Sequence, residues 1–440
     1  MQTPSAGKML QYGLIAFPLS FAGLPIYLHA PDFYAVNMRV PIELIGSALL
    51  LLRFFDALQD PLIGSFSDRF CQYRKLIILV GTMLLISGIW MIFHPYTNFP
   101  LFWLCLSVLI CTTGFSIVTI NVQALGGLWH VKKDDVTKIM GVREAIGLCG
   151  LLAASMTPAL LFQAYSPRVA FHYLTLAFIP FMLCCVWIFI GWMQSASFTA
   201  SHAVFASSLS FKNILQDKKT GLFLGSYFLS TVAASIPAIL IIFYVRDYLR
   251  AEQYLGMFLL IYFLSGALAM PLWSYIARRY STILTWWISM VVACLTFIWV
   301  FFLSPGDIWG YALVCLMSGF AVGANLALSS AIAANMLVEK QHQQIASRYY
   351  SLMAFLAKAA LALATGIVLP LLGFLGYQPG EITTGYLMPT IYAVIPCSIQ
   401  LLAIMVLWRL VRTPVAIKKG ENNENFSEKR AITHESNVVA

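Results

Sequence analysis

The sequence has 440 residues, of which 60% are hydrophobic and 10% are charged, and its formal net charge is +9. Soluble domains carry about 25% charged residues, so a water-soluble fold could not bury this much apolar surface. Together with a mean hydropathy of +0.81, the composition excludes an ordinary soluble protein and predicts a chain that lies in lipid. Basic residues of membrane proteins concentrate in cytoplasmic loops, so the positive charge does not indicate a nucleic-acid partner.

Apolar stretches of about 20 residues, long enough to cross a bilayer, recur twelve times along the chain. We therefore predict an all-α polytopic membrane protein with twelve transmembrane helices, whose surroundings are a lipid bilayer. The predicted spans lie near residues 9–29, 42–66, 76–94, 100–125, 141–164, 169–193, 220–244, 254–276, 282–303, 308–337, 346–373 and 385–411.

The longest connection, residues 194–219, is polar and Ser-rich and lies between the sixth and seventh spans. We predict that it is a cytoplasmic central loop, which separates an N-terminal six-helix bundle (1–193) from a C-terminal six-helix bundle (220–412). The polar residues 413–440 are predicted to form a disordered cytoplasmic tail. Two halves, each an inverted repeat of three helices, are the layout of major-facilitator transporters, which bind substrate between the halves.

Lysine and arginine are distributed unevenly between the two sides of this topology. With the N-terminus inside, the inside segments hold about 20 of the 27 basic residues, and the outside segments hold Arg39, Arg168, Arg246 and Arg250. This asymmetry follows the positive-inside rule. We therefore predict a multi-pass protein of the cell (inner) membrane with both termini in the cytoplasm.

Three charged residues of the second span lie on one face of its helix. Arg53, Asp56 and Asp60 are spaced by three and four residues, which places their side chains above one another. A charge inside the membrane costs at least about 2.5–3.5 kcal/mol, and one arginine offsets only one of two carboxylates. The remaining charge predicts a site for Na⁺ or H⁺ at Asp56 and Asp60, since hard cations prefer oxygen ligands. The alternative is an ion-pair network that only holds helices together.

The eleventh span contains a lysine, Lys358, that has no acidic residue nearby in the sequence. Its burial without a partner would be costly, so we expect the partner on another helix, with Asp56 or Asp60 as the candidates. Such a contact would connect the two halves of the chain. Arg53 and Lys358 are thus predicted to complete a charge network around the two aspartates.

The fifth span begins with a second buried base, Arg143, which is followed directly by Glu144. Adjacent residues do not face each other on a helix. We therefore expect Glu144 to point towards the cytoplasmic interface and Arg143 to point inward, where it could bind substrate.

The end of the second span reads GSFSDRFCQYRK, residues 64–75, and matches in part the major-facilitator loop pattern GxxxDRxxRR. An acid and several bases at this position can clamp helix ends in one conformation. We predict a cytoplasmic gate formed by Gly64, Asp68, Arg69 and Arg74.

The same span also resembles the motif of a known family. RFFDALQDPLIGSFSDR resembles the RxxDAxxDPxxGxxxD segment of the glycoside–pentoside–hexuronide:cation symporters, the melibiose-permease group of the major facilitators. The segments similar to that family's helices one, four, five and eleven are YGLIAFPLSFAGLPIYLHAPDFY, TINVQALGG, GVREAIGLCG and FLAKAALALATGIVLPLLGFLGY. The resemblance covers nearly the whole chain. It implies uptake of a sugar with Na⁺, Li⁺ or H⁺ by alternating access, with Asp56 and Asp60 at the cation site and Arg143 in contact with the sugar.

The chain departs from that family at the sugar site. Leu19 and Ser20 stand where characterised sugar symporters of the group carry a Lys–Asp pair, and Thr119 and Gln123 align with an Asp and a Trp. Two carboxylates that would form charge-assisted hydrogen bonds to hydroxyl groups are therefore missing, and a galactoside site is not expected. The predicted substrate-binding residues are Ser20, Thr119, Asn121, Gln123 and Arg143. All of them except Arg143 are neutral.

From these observations we predict a secondary active transporter, and not an enzyme, that couples a small solute to Na⁺ or H⁺. A sugar or glycoside is the expected substrate; the alternatives are symport of a non-sugar amphiphile such as a lysolipid, and uniport. A receptor would need an output domain or a separate partner, and a membrane-embedded enzyme is disfavoured because no paired metal-ligand motif or GxSxG elbow occurs. We expect a monomer with no cofactor and no metal other than a coupling Na⁺.

Overall fold

The computed structural model describes residues 4–24, 29–96, 98–198, 211–339, 342–377 and 385–412. These residues are almost entirely helical, and within them the only strand-like pairing is an isolated antiparallel bridge between Trp129 and Phe198. In chain order the helices are α1 (Ala6–Gly13), α2 (Ala16–Leu24), α3 (Ala30–Met38), α4 (Ile42–Arg69), α5 (Arg74–Phe93), α6 (Pro100–Leu128), α7 (Lys133–Leu161), α8 (Pro167–Ser195), α9 (Phe211–Gln216), α10 (Lys218–Phe243), α11 (Leu255–Arg279), α12 (Thr282–Phe297), α13 (Ile308–Glu339), α14 (Ala346–Phe374), α15 (Leu387–Pro389) and α16 (Ile395–Val411).

Two membrane spans contain π-helical turns. Tyr244–Tyr248 extends α10, and Thr390–Val394 joins α15 to α16, so that each forms one continuous crossing. Among the described residues, ten helical segments are long and apolar enough to span a bilayer. The other two crossings are α4, which carries charges in its central turns, and the first span.

The first span is interrupted, where the sequence predicts one helix over residues 9–29. Helix α1 ends at Gly13 and α2 begins at Ala16. Pro18 lies four residues after Leu14, and a proline ring clashes with the carbonyl at that distance. Residues 25–28 lie outside the described part of the chain. The predicted all-α membrane fold is confirmed, because the described residues are almost entirely helical and ten of their segments are long and apolar enough to cross a bilayer.

Close packing within each half depends on glycines. A Cβ atom added at Gly114 of α6 would lie 2.3 Å from the backbone nitrogen of Leu85 in α5. In the second half, a Cβ atom at Gly319 of α13 would lie 2.2 Å from the carbonyl oxygen of Tyr262 in α11. Small residues of this kind let the backbones of membrane helices approach closely, which is the main source of association in lipid.

The two halves meet along several helix pairs. Helix α4 packs against α14, α7 packs against α11 and α13, and α6 packs against α13 and α14. The packing of α4 on α14 brings the charged face of α4 to Lys358, and the packing of α7 on α11 and α13 brings α7, which carries Arg143, to the wall of the second half. The functional candidates therefore lie at the interface of the halves.

The domain boundaries predicted from the sequence fall partly outside the described residues. Within the predicted central loop, 194–219, residues 211–216 form the short helix α9, while residues 199–210 are outside. The predicted tail, 413–440, also lies outside the described residues.

The packing of α11 on α13 predicts that Gly319→Ala lowers thermal stability. The new methyl group would be forced against the Tyr262 carbonyl, and overpacking of this kind costs about 1–3 kcal/mol. Gly366→Ala in α14 is the matched control, since a Cβ atom there meets nothing within 4 Å. Thermal melting of the purified variants in detergent measures both. Equal melting temperatures for Gly319→Ala and the wild type would contradict this account of the interface.

Candidate functional site: a buried charge cluster between the halves

The side chain of Lys358 reaches from α14 to the acidic face of α4. Its ammonium nitrogen lies 2.9 Å from Asp56 Oδ1 and 2.9 Å from Asp60 Oδ1. It also lies 2.8 Å from Ser116 Oγ on α6 and 3.1 Å from the carbonyl oxygen of Asp56. The sequence predicted that Lys358 would find its partner in Asp56 or Asp60, and it contacts both. One ammonium group thus joins the first half to the second.

Neutral polar side chains that the sequence analysis did not single out complete this cluster. Gln59 donates a hydrogen bond of 2.9 Å to Asp56 Oδ1, and its own carbonyl oxygen accepts one of 2.8 Å from Thr113 on α6. Gln59 lies three residues after Asp56, so helical spacing could have indicated it. Thr113 and Ser116 could not be identified from α6 alone, because the face of that helix that meets α4 is set by packing.

Asp60 is the most deeply buried member of the cluster. Its side chain is fully buried, and its second carboxylate oxygen, Oδ2, has no hydrogen-bond partner among the described residues. Buried polar atoms are nearly always paired, and an exception is a candidate binding point. Counting Asp56, Asp60 and Lys358 alone, the cluster carries one unit of negative charge in excess.

Arg53 lies one helical turn before Asp56 and is half-buried. It is therefore on the same face of α4, where the spacing placed it. Its predicted part in the charge network stays a prediction.

Arg143 and Glu144 form an ion pair, which makes the expectation that they point apart wrong. Both side chains are long enough to bend towards each other although their Cα atoms are adjacent on the helix. Arg143 is buried, and its Nε atom has no hydrogen-bond partner among the described residues. Three buried or half-buried tyrosines lie near Arg143, namely Tyr12, Tyr227 and Tyr350. This second polar centre sits on α7 at the interface of the halves.

The other predicted substrate ligands lie in different surroundings. Asn121 is fully buried and donates to Ser67 Oγ at 2.9 Å and to the carbonyl oxygen of Ile117 at 2.8 Å, so it packs α6 on α4. The hydroxyl group of Thr119 is buried and finds no hydrogen-bond partner within the described residues. Ser20 lies beside α7. A Cβ atom added at Gly147 of α7 would lie 2.9 Å from Ser20 Oγ. Gln123 is half-buried. Their role in binding stays a prediction.

The predicted gate residues form a second link between the halves, at the end of the bundle where α4 ends and α14 begins. Asp68 accepts hydrogen bonds from the backbone nitrogens of Ser347 and Arg348 at 2.9 and 2.8 Å. These amides belong to the first turn of α14, where no intrahelical acceptor exists, so Asp68 caps a helix of the other half. Arg74 lies 3.5 Å from Asp68 and donates to Ser347 Oγ at 3.1 Å.

Gly64 allows α14 to approach α4 closely, whereas Arg69 takes no part in the contact that Asp68 and Arg74 make with α14. A Cβ atom at Gly64 would lie 2.1 Å from Ser351 Oγ and 2.7 Å from the carbonyl oxygen of Ser347, so a larger residue would push α14 away. Arg69 is exposed, with its guanidinium group 5.7 Å from the centre of the Phe70 ring.

The sequence matches the family described as MFS/sugar transport protein over residues 9–413, which confirms the resemblance seen in the motifs. Among solved structures, the fold is similar to a bacterial homologue of the iron transporter ferroportin in an outward-facing state, at 14% identity over 92% of this chain and 99% of that chain, with a TM-score of 0.74. It is also similar to a variant of the E. coli fucose:proton symporter FucP, at 13% identity over 92% and 97% of the two chains, with a TM-score of 0.65. The human organic anion transporter MFSD10 is similar at 15% identity over 91% and 98%, with a TM-score of 0.63. At these identities the likeness shows the fold alone.

The cap that Asp68 provides predicts faster amide exchange at the start of α14 in Asp68→Ala, which removes the accepting oxygen. A lost helix cap costs about 0.5–2 kcal/mol, which corresponds to roughly 2- to 30-fold in exchange rate. Hydrogen–deuterium exchange of peptides that contain Ser347 and Arg348 measures the change. Arg69→Gln removes a neighbouring exposed charge and should leave the exchange rate unchanged. The same rate in both variants as in the wild type would show that the cap does not hold α14.

Proposed function

We propose a cation-coupled mechanism for this chain, which belongs to the family of MFS/sugar transport proteins. Membership makes it a membrane transporter of a small molecule, and not an enzyme. The proposal goes further: the protein carries a small solute, a sugar or glycoside, together with one H⁺ or Na⁺ by alternating access. The observation that supports it best is the buried cluster of Asp56, Asp60 and Lys358.

The charge of this cluster supports the coupling. Counting Asp56, Asp60 and Lys358 alone, the cluster carries one negative charge in excess, and a buried uncompensated charge is strongly destabilising. Oδ2 of Asp60, which is buried and has no hydrogen-bond partner among the described residues, is the point where a proton or Na⁺ would neutralise it. The cation is therefore a second substrate of the transporter.

The position of the cluster explains how the cation could drive a movement. Lys358 belongs to α14 in the second half, while Asp56 and Asp60 belong to α4 in the first half. A cation at Asp60 would weaken the attraction of that carboxylate for Lys358, since both compete for the same negative charge. Binding would thus change the force that holds α4 to α14, the helix pair that Asp68 and Arg74 also join.

We further propose that the end of the bundle that contains Asp68 faces the cytoplasm, as the distribution of basic residues indicates. Both termini would then be cytoplasmic, in the cell (inner) membrane. The halves are joined at this end by the contacts of Asp68 and Arg74 with Ser347. The described conformation would therefore be closed on the cytoplasmic side.

The sugar part of the proposal is supported by the family's description and by the fold of the fucose:proton symporter. Arg143, whose buried Nε has no hydrogen-bond partner in the part of the chain that the structure describes, offers a donor for a hydroxyl group. A second candidate substrate is an amphiphile, which is favoured by a cavity of about 470 Å³ with a mostly apolar lining. We expect the transporter to act as a monomer.

The proposed coupling predicts that Asp60→Asn abolishes cation dependence. Purified protein in proteoliposomes would be tested on a solid-supported membrane with glucose, fucose and their methyl glycosides, under an inward Na⁺ gradient, under an inward H⁺ gradient, and without either. We expect a substrate-evoked current that requires one of the two gradients and falls at least tenfold in Asp60→Asn. Glu339→Gln, which removes a carboxylate that is 54% exposed on the surface, should leave the current intact.

The opposite result would show that transport is not coupled to a cation. Uptake of radiolabelled sugar into the same proteoliposomes at equal rates with and without a cation gradient, and in Asp60→Asn as in the wild type, would mean that the two aspartates only hold helices together. The protein would then be a uniporter.

A further inference from the structure

Two histidines from different helices meet at the end of the bundle opposite to the Asp68 contact. His94 directly follows α5, and His172 lies in the second turn of α8. Helix α5 begins at Arg74, the partner of Asp68, and its 20 residues span about 30 Å, which carries His94 to the far end. The two histidines are 78 residues apart in the chain, so the sequence alone did not indicate that they would meet.

The imidazole rings of this pair are joined by a hydrogen bond. His94 Nε2 lies 2.9 Å from His172 Nδ1, and His94 Nδ1 lies 2.8 Å from the carbonyl oxygen of Trp90. A carbonyl oxygen only accepts hydrogen bonds, so Nδ1 of His94 carries a proton. In the neutral ring the lone pair is then on Nε2, the atom that faces His172. The contacts therefore assign the tautomer of His94 and direct its lone pair at the second ring.

This arrangement is the one in which proteins hold a histidine that binds a metal ion. Metal-binding histidines almost always donate their other ring N–H to a carbonyl or carboxylate oxygen, which fixes the tautomer and raises the basicity of the ligand nitrogen. Trp90 also stacks on the ring of His94, with ring centres 3.8 Å apart and planes 13° apart. The ring of His94 is thus already oriented before any ligand binds.

The distance between the two facing nitrogens suits a shared ion. A Zn–N bond is about 2.0–2.1 Å long, so two nitrogens at the tetrahedral angle are about 3.3 Å apart. The nitrogens of His94 and His172 are 2.9 Å apart, so the rings would need to separate by only about 0.4 Å. His172 would change tautomer, with its proton on Nε2 and its lone pair on Nδ1, and no net proton would be released.

The surroundings of the pair indicate which ions it can bind. Both rings are half-buried, so ions can reach them from water. Within the described residues no group of three or more His, Cys, Asp or Glu side chains could hold a metal, so the pair offers two protein ligands and leaves the other positions to water. Imidazole suits Zn²⁺, Cu²⁺ and Ni²⁺, whereas Mg²⁺ and Ca²⁺ prefer oxygen ligands.

We propose that His94 and His172 bind a divalent transition-metal ion such as Zn²⁺, which bridges α5 and α8. Both helices belong to the first half, so the ion links two helices of one half and leaves the contacts between the halves unchanged. The site does not include Asp56, Asp60 or Lys358, and it goes beyond the proposed transport function. With the end that contains Asp68 in the cytoplasm, the ion would enter from the outside.

Calorimetry with Zn²⁺ tests the site directly. The full chain without a polyhistidine tag would be titrated in nanodiscs with ZnCl₂ and with MgCl₂, with empty nanodiscs as the correction. We expect saturable binding of Zn²⁺ and none of Mg²⁺. Loss of an outer-shell partner alone costs about 10- to 100-fold in metal affinity, so His94→Gln and His172→Gln should each weaken Zn²⁺ binding by about tenfold or more.

Two control variants separate this site from other histidines and from coupling. His130→Gln removes an exposed histidine that follows α6 at the opposite end of the bundle, and it should bind Zn²⁺ as the wild type does. Asp60→Asn should also keep the wild-type affinity for Zn²⁺, whatever its effect on transport. A failure of the proposed coupling would therefore leave the result for this site unaffected.

A measurement on the unmodified chain covers the case in which the glutamine variants misfold. Diethyl pyrocarbonate reacts with imidazole nitrogens that have a free lone pair. At a Zn²⁺ concentration about ten times the dissociation constant, only about a tenth of the sites stay empty, so modification of His94 and His172 should slow by about tenfold, with His130 unchanged, as measured by mass spectrometry. Unchanged Zn²⁺ affinity in both glutamine variants, or equal modification of the pair with and without Zn²⁺, would overturn the proposal and leave a hydrogen bond that only holds α5 to α8.

Discussion

The contact of Lys358 with two aspartates of the opposite half is the interaction on which the proposed mechanism depends. A helix that carries Asp56 and Asp60 into a membrane can do so only if the charges are neutralised, since each costs at least about 2.5–3.5 kcal/mol. Here the neutralising group comes from α14, at 2.9 Å from each carboxylate. Insertion of α4 and association of the two halves are therefore linked by the same three side chains.

Lys358 alone does not balance both aspartates, and Oδ2 of the buried Asp60 has no hydrogen-bond partner among the described residues. A fully paired cluster would only hold helices together, whereas a buried carboxylate oxygen without a partner can accept a cation. Removing one partner of a buried ion pair costs about 3–5 kcal/mol, so the protonation or cation occupancy of Asp60 would have a large effect on the α4–α14 interface. The cap of Asp68 on α14 places a second contact on the same helix pair. The two contacts together make this pair the natural point at which cation binding changes conformation.

Much of this site could be predicted from the sequence, because the relevant information is local. The spacing of Arg53, Asp56 and Asp60 fixes their common face, and a buried Lys358 without a nearby acid requires a distant partner. The twelve-helix fold follows from the apolar spans and is confirmed. Features that depend on packing could not be predicted: which residues of α6 reach the cluster, and how far a long side chain bends, as in the pairing of Arg143 with Glu144.

The cavity of the second half was also beyond sequence reasoning, for a related reason. Each helix contributes only two to eight residues to its wall, and on any single helix these residues resemble ordinary lipid-facing or core positions. The cavity that they enclose becomes visible only when the helices are assembled. The break between α1 and α2 could not be predicted from the sequence either. Pro158 and Pro180 lie within unbroken helices, so the presence of a proline does not by itself show where a helix is interrupted.

The claim that one cation binds at Asp60 is tested most directly by thermal melting of purified protein across Na⁺ concentration and pH, with no transport substrate present. A ligand that binds only the folded state stabilises it by about 2.7 kcal/mol at a hundred times its dissociation constant. We expect the wild-type melting temperature to rise with Na⁺ or with falling pH, Lys358→Gln to show a larger rise because two carboxylates then lack their ammonium partner, and Asp60→Asn to show none. A melting temperature that responds to neither cation in the wild type, or that responds equally in Asp60→Asn, would contradict the account.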